Sequence, residues 1–142
     1  MNILVIDAQG GGIGRALVAA VRQALPEAEI TAVGTNSTAA SAMLKAGAHH
    51  AATGENAVIV GCRSADVITG PIGIVIADSL FGEVTPAMAV AVGQSRAKRI
   101  LIPAAQCGNL IAGVKDKTIS ALVRDAVSMM RDACGNSASS GS

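Results

Sequence analysis

Ile3-Leu4-Val5-Ile6-Asp7-Ala8-Gln9-Gly10-Gly11-Gly12-Ile13-Gly14-Arg15 decides how this chain is read. Four apolar residues run into four glycines within five positions. A short apolar run bounded by turn residues is the pattern of a strand buried on both faces of a parallel sheet. Beyond the glycines, Ile13, Leu17, Val18, Val21 and Leu25 recur at helical spacing, and Pro26 closes the segment. Strand, glycine turn and helix in this order open a nucleotide-binding unit. The glycines allow a tight turn and let a phosphate reach the helix start, where unpaired N–H groups and the positive end of the dipole await it.

The G-x-G-x-x-G fingerprint does not match in register, because Arg15 stands where its third glycine would fall counting from Gly10. The loop is more similar to the T-G-x-x-x-G-I-G turn of short-chain dehydrogenases. Gly12-Ile13-Gly14 fits that pattern, with Asp7 and Ala8 in place of the opening Thr-Gly. The competing reading is a tight turn that binds nothing. Four glycines exceed what a turn needs, so phosphate binding is the favoured one.

The chain has 142 residues, the size of one domain with a normal core. Half the residues are apolar and 15% charged, which excludes a disordered chain. There is one Phe and neither Trp nor Tyr, so the core is aliphatic. A net charge of +1 without a basic block argues against nucleic acid. No apolar run reaches the ~18 residues of a membrane span, and no leader pattern precedes the first strand. Cys62, Cys107 and Cys134 match neither a zinc nor a redox spacing and read as reduced thiols of a cytoplasmic protein. Residues 1–134 read as the domain, and the Gly/Ser-rich residues 135–142 as a disordered tail.

In chain order, Ile30-Thr31-Ala32-Val33 is a second strand ending at Gly34, and the N-cap-rich Thr35-Asn36-Ser37-Thr38 opens a helix stopped by Gly47. His49-His50-Ala51-Ala52 is a short third strand, residues 57–62 a helix, and Ala65-Asp66-Val67-Ile68-Thr69 the fourth strand. An apolar segment, 74–80, follows Gly70-Pro71-Ile72-Gly73. Thr85-Pro86 starts a helix that Gly93 ends. Residues 98–102 form the next strand, and 110–114 an antiparallel edge strand. Thr118 caps a last helix with one apolar stripe from Ile119 to Met130, and Gly135 closes it. Alternating strands and helices make a doubly wound, three-layer α/β domain, mostly parallel with that antiparallel edge. Right-handed crossovers bring the loops after the strands to one edge, where ligands bind at the reversal of strand order. The loops concerned are 7–14, 34–38, 53–56 and 70–73. Their candidate ligand-binding residues are Asp7, Gln9, Gly10, Gly11, Gly12, Ile13, Gly14, Thr35, Asn36, Ser37, Thr53, Glu55, Gly70 and Pro71.

These loops, together with Met43-Leu44-Lys45-Ala46-Gly47-Ala48 and Gly113-Val114-Lys115-Asp116-Lys117, resemble a short bacterial family, common in Firmicutes, that is classed as a domain of unknown function. The resemblance covers nearly the whole chain. It implies a Rossmann-like NAD(P)- or nucleotide-binding fold and supplies neither an activity nor catalytic residues.

Short-chain dehydrogenases move protons with Tyr-x-x-x-Lys, and this chain has no tyrosine. Asp7 either faces a ligand, holding Mg²⁺ with an acid such as Asp78, or accepts hydrogen bonds from the glycine loop; the second is favoured and no metal site is read. His49 and His50 point to opposite faces of a strand and read as surface residues. Glu55 either orients a ribose or complements a helix dipole. Cys107 is a nucleophile candidate without a clear base. The resulting expectation is a small nucleotide-binding protein, NAD or NADP the preferred ligand, acting as a sensor or subunit. The alternatives are an enzyme on a phosphorylated small molecule and a structural subunit with a vestigial loop. The apolar helix at 86–92 suggests a homodimer or larger assembly. Residues 34–37 hold no acid and no arginine, so NADP is expected to be tolerated alongside NAD with weak discrimination.

Overall fold

The computed structural model of the chain describes residues 1–104, 108–113 and 117–140. The apolar run forms β1 (Asn2–Asp7), and its side chains divide between two cores. Ile3 and Val5 face one side, with Leu17, Val18 and Val21 of α1 (Gly12–Ala24), Met43 of α2 (Ser37–Lys45) and Met130 of α5 (Ile119–Ser140). Leu4 and Ile6 face the other, with Val58 and Cys62 of α3 (Glu55–Ser64) and Met88 and Val92 of α4 (Pro86–Gln94). Burial on both faces is why this strand shows no alternation of apolar and polar residues.

The remaining strands are β2 (Glu29–Gly34), β3 (His50–Thr53), β4 (Val67–Pro71) and β5 (Lys98–Ile102). Their order is β3-β2-β1-β4-β5, and every pair is parallel. The chain steps outward from β1 to β3 under α1 and α2. It then crosses by α3 to β4, on the opposite side of β1, so strand order reverses between β1 and β4. The fold is a doubly wound, Rossmann-like three-layer domain. No helix among the described residues is long and apolar enough to cross a membrane.

Several readings of the sequence are corrected. Residues 110–113 form no strand, and among the described residues the sheet has no antiparallel member. Gly108 and Gly113 both take left-handed backbone, which turns this segment instead of extending it, and Leu110 is left 97% exposed. Gly93 and Gly135 do not end their helices: α4 continues to Gln94, and α5 continues to Ser140. A lone glycine lowers helix propensity by about 1 kcal/mol, too little to stop a helix already packed on a core. A 3₁₀ turn, Ile72–Val75, leads into a looped strap that ends at α4. The caps fall where the sequence puts them: Asn36, Thr85 and Thr118 accept from the N–H groups of Ala39, Met88 and Ala121 at 2.8, 3.2 and 3.1 Å.

Candidate functional site

Strand order reverses between β1 and β4, so the loops leaving these strands part above their carboxyl ends. A crevice of about 230 Å³ opens there, lined by Asp7, Ala8, Gln9, Gly10, Gly11, Gly12, Ile13, Pro71 and Leu80. Of the candidates read from the sequence, the first loop and Pro71 therefore share one cavity.

The four glycines of the loop divide into two pairs. Gly11 has φ +74°, and a Cβ there would lie 3.0 Å from the Ala39 backbone. Gly14 sits over the sheet, where a Cβ would meet Met43 Sδ at 2.5 Å and Asp7 Cβ at 2.8 Å. The turn and the helix–strand contact account for these two. At Gly10 and Gly12 a Cβ would find no heavy atom within 4 Å, and neither residue takes a left-handed φ. Among the described residues their N–H groups take no partner.

Asp7 closes the loop from beneath. Its Oδ1 accepts from the Ala8 N–H at 2.7 Å and its Oδ2 from the Gly14 N–H at 2.6 Å. Burial raises the Asp7 carboxyl above its usual range; the Gly14 and Ala8 N–H groups pull it down, and the charge of Glu83 adds to the rise. Both oxygens are engaged by the loop, which is the structural role favoured from the sequence. Among the described residues no group of three or more His, Cys, Asp or Glu side chains could hold a metal ion.

Glu83 is the residue that sequence reasoning misses. Its Oε1 accepts from the Gln9 N–H at 3.1 Å, the Thr35 hydroxyl at 2.7 Å and the Asn36 Nδ2 at 2.7 Å. Partial burial pulls this carboxyl up, and the bonds from Thr35, Asn36 and Gln9 outweigh it, holding it below its ordinary value. Asn36 also donates to the Gln9 carbonyl at 3.0 Å while its Oδ1 caps α2. In the sequence Thr35 and Asn36 read as free donors at an acid-free strand end. The acid is present, carried in by residues 76–85, and both donors are committed to it. A signal exists in Gly82-Glu83, an acid following a glycine in an otherwise apolar stretch, but nothing local ties it to residues 48 positions earlier.

The other candidates lie elsewhere. Ser37 lines an open groove between α1 and α2 with Arg15, Thr38, Ser41 and Lys45. Thr53 ends the exposed edge strand β3, beside Gly34. Glu55 accepts the Thr85 hydroxyl at 2.6 Å, tying α3 to the start of α4. Gly70 lies against the Ile6 carbonyl, which a Cβ would strike, so it is a packing glycine of the sheet. His49 Nδ1 accepts from the Ile30 N–H at 3.0 Å, and His50 pairs with Glu29 at 2.7 Å, both away from the crevice. Cys62 is buried, its thiol pushed up to about 11, and is inert. Cys107 and residues 114–116 lie outside the described residues.

The strap that carries Glu83 has unusual backbone. Asp78, Leu80 and Phe81 hold φ of 65°, 55° and 59°, followed by Gly82 at 79°. Non-glycine residues in this region cost of order 1 kcal/mol each and persist only where the surroundings impose them. Here the Asp78 N–H binds the Val84 carbonyl at 2.8 Å, the Ser79 hydroxyl donates to the Gly73 carbonyl, and Leu80 and Val84 are buried on α3 and α4. Phe81, the single aromatic residue, is 93% exposed at the apex.

No curated protein matches the chain. Among solved structures, a dodecameric FMN-dependent UbiX-like decarboxylase from Escherichia coli O157:H7 aligns with 90% of this chain and 76% of its own at 21% identity, with a TM-score of 0.38. The two overlay too loosely for any residue correspondence to follow. The family model described as a domain of unknown function, DUF3842, matches residues 2–135, nearly the whole chain from the first strand through most of α5, and the chain belongs to that family.

Proposed function

We propose that the crevice between β1 and β4 binds the diphosphate of a nucleotide, with NAD the first ligand to test, and that the protein acts as a binding subunit or sensor. The observation that supports this is the division of the glycines. Gly11 and Gly14 serve the turn and the packing, whereas Gly10 and Gly12 face open space, their N–H groups without a partner among the described residues. A Cβ at either position would meet no heavy atom within 4 Å beyond its chain neighbours and the helix's own backbone, so glycine there makes sense where something else comes close.

Electrostatics limits the strength of that site. The start of α1 contributes about 0.3–1 kcal/mol toward an anion. Asp7 already lies against it from below and Glu83 from the side. Two carboxylates at this range offset a contribution of that size. Inorganic phosphate alone should bind too weakly to measure, and a ligand that also brings a ribose and a base should bind. Calorimetric titration with NAD, ADP and phosphate tests this, with Gly12→Val as the blocked variant. A Cβ at Gly12 has open space, so valine is expected to keep the fold while closing the approach. Equal nucleotide binding by variant and parent, or none by the parent, removes the reading.

A second reading is favoured by one observation. The enclosed part of the crevice, about 230 Å³, falls below the ~300–1,000 Å³ of sites that bury a drug-sized ligand. That size suits a compact phosphorylated metabolite, on which the protein would act as an enzyme. A sugar phosphate that bound where NAD and ADP did not would establish this alternative.

A further inference from the structure

We propose that Glu83 reads the ribose of the bound nucleotide, supplying from the strap the carboxylate that β2 cannot carry, so that the preferred ligand bears a free 2′-hydroxyl. The inference rests on the nucleotide reading above and deepens it.

In a doubly wound sheet the ribose next to the diphosphate passes over the end of β2, where an acid from that strand accepts its hydroxyl. Here β2 ends in Val33-Gly34, and Gly34 cannot be replaced. A Cβ at 34 would lie 2.5 Å from the Ala40 backbone nitrogen and 2.6 Å from the Asn36 carbonyl oxygen. Close packing of α2 on the strand end therefore rules out an acid at that position. Glu83, carried by the strap, reaches the same place. Its Oε1 gathers one donor from the glycine loop and two from the β2 end, at 2.7–3.1 Å. Among the described residues Oε2 takes no partner, and it remains as an acceptor for a hydroxyl. The strap is braced for the task by the buried Leu80 and Val84 on either side of the acid's approach. The three hydrogen bonds keep the carboxylate charged at neutral pH. A charged acceptor favours a hydroxyl and repels a 2′-phosphate. Weak discrimination, expected from the acid-free residues 34–37, gives way to selection for NAD over NADP.

The test is calorimetric titration of the full chain and of Glu83→Gln with NAD and NADP. The parent should bind NAD at least tenfold more tightly, about 1.4 kcal/mol. Glu83→Gln keeps an acceptor for Gln9, Thr35 and Asn36 but loses the charge, and the preference should fall to within about threefold, chiefly through gained NADP affinity. A second measurement needs no variant: the parent should bind 2′-deoxy-ADP several-fold more weakly than ADP. Equal NAD and NADP binding by the parent, a preference that survives in a folded Glu83→Gln, or equal binding of ADP and its 2′-deoxy form overturns the role of Glu83. If NAD binding is lost in Gly12→Val while NAD and NADP bind the parent alike, the glycine-loop reading stands and only Glu83 falls. Absence of any nucleotide binding by the parent overturns both.

Discussion

Two segments border the same crevice, and they are unequally readable. The glycine turn, residues 8–14, is built mostly from local rules: a buried strand ends, glycines supply one left-handed position and one close contact, and a helix starts, with Gln9 at φ 52° its single left-handed non-glycine residue. The strap, residues 76–85, follows from distant partners. Its three left-handed non-glycine residues are held by the Gly73 carbonyl, by its own internal hydrogen bonds, and by Leu80 and Val84 packed on α3 and α4. A turn that obeys propensity announces itself in the sequence. A turn that defies propensity under outside constraint does not, and here it delivers the residue that joins the glycine loop to the end of β2.

The sharpest test of this contrast lies within the glycine turn. Gly14→Ala forces a methyl against Asp7 Cβ at 2.8 Å and the buried Met43. We expect a loss of about 1–3 kcal/mol, the range for overpacking a well-filled core. Gly12→Ala, two residues earlier, places the same methyl in open space at a helix start and should be neutral or stabilising by up to about 1 kcal/mol. Denaturant unfolding of both variants decides it; similar losses in the two would show that the glycines do not divide as described.

A smaller effect is expected in the strap. Phe81→Gly removes a bulky side chain from φ 59°, where it is 93% exposed and packs on little. Relief of left-handed strain of order 1 kcal/mol is opposed by the greater freedom of glycine in the unfolded chain. Stability should stay level or rise slightly, in contrast to the loss expected at Gly14. A clear loss in thermal unfolding would mean that the Phe81 ring holds the strap in place and that the strap is not imposed by its anchors.

The smallest effect appears in acid. The Glu83 carboxyl is depressed in the folded protein, so its contribution is present above its unfolded value, near 4.5, and is lost as pH falls through the folded value. The Asp7 carboxyl is raised, so its effect runs the other way: relative stability declines as pH rises above 3.8 through the folded value. Glu83→Gln should therefore differ most from the parent near neutrality, and the gap should close below about pH 4.5. Asp7→Asn should flatten the decline above pH 3.8. Unfolding curves of the three proteins between about pH 3 and 7 check both signs. A gap for Glu83→Gln that widened in acid would show that the three bonds to its Oε1 do not favour the charged form.

Legibility follows the range of the interactions. The parallel strands, α1 and the caps at Asn36, Thr85 and Thr118 are readable, because a few neighbouring residues decide them. The antiparallel edge read at 110–114 fails over its described residues, 110–113, because the apolar run Leu110-Ile111-Ala112 between glycines resembles a strand until the left-handed turns at Gly108 and Gly113 are known. The loop ends at Thr35 and Asn36 show in the sequence as polar donors, but their true partner lies 48 and 47 residues away. Pro71 belongs to the crevice by its strand end alone, whereas Leu80, in the strap, gives no such sign.

Phe81 has one more consequence, and it is optical. The chain has neither tryptophan nor tyrosine, and its single phenylalanine stands in solvent next to Leu80, which lines the crevice. The protein is nearly transparent in the near ultraviolet, where purine, nicotinamide and flavin rings absorb strongly. Any such absorbance that co-purifies with the protein belongs to a bound molecule and can be counted against a protein concentration measured from the peptide band. A Phe81→Trp variant, in turn, would carry a single indole fluorophore one residue from the crevice lining, with no other tryptophan or tyrosine emission to subtract.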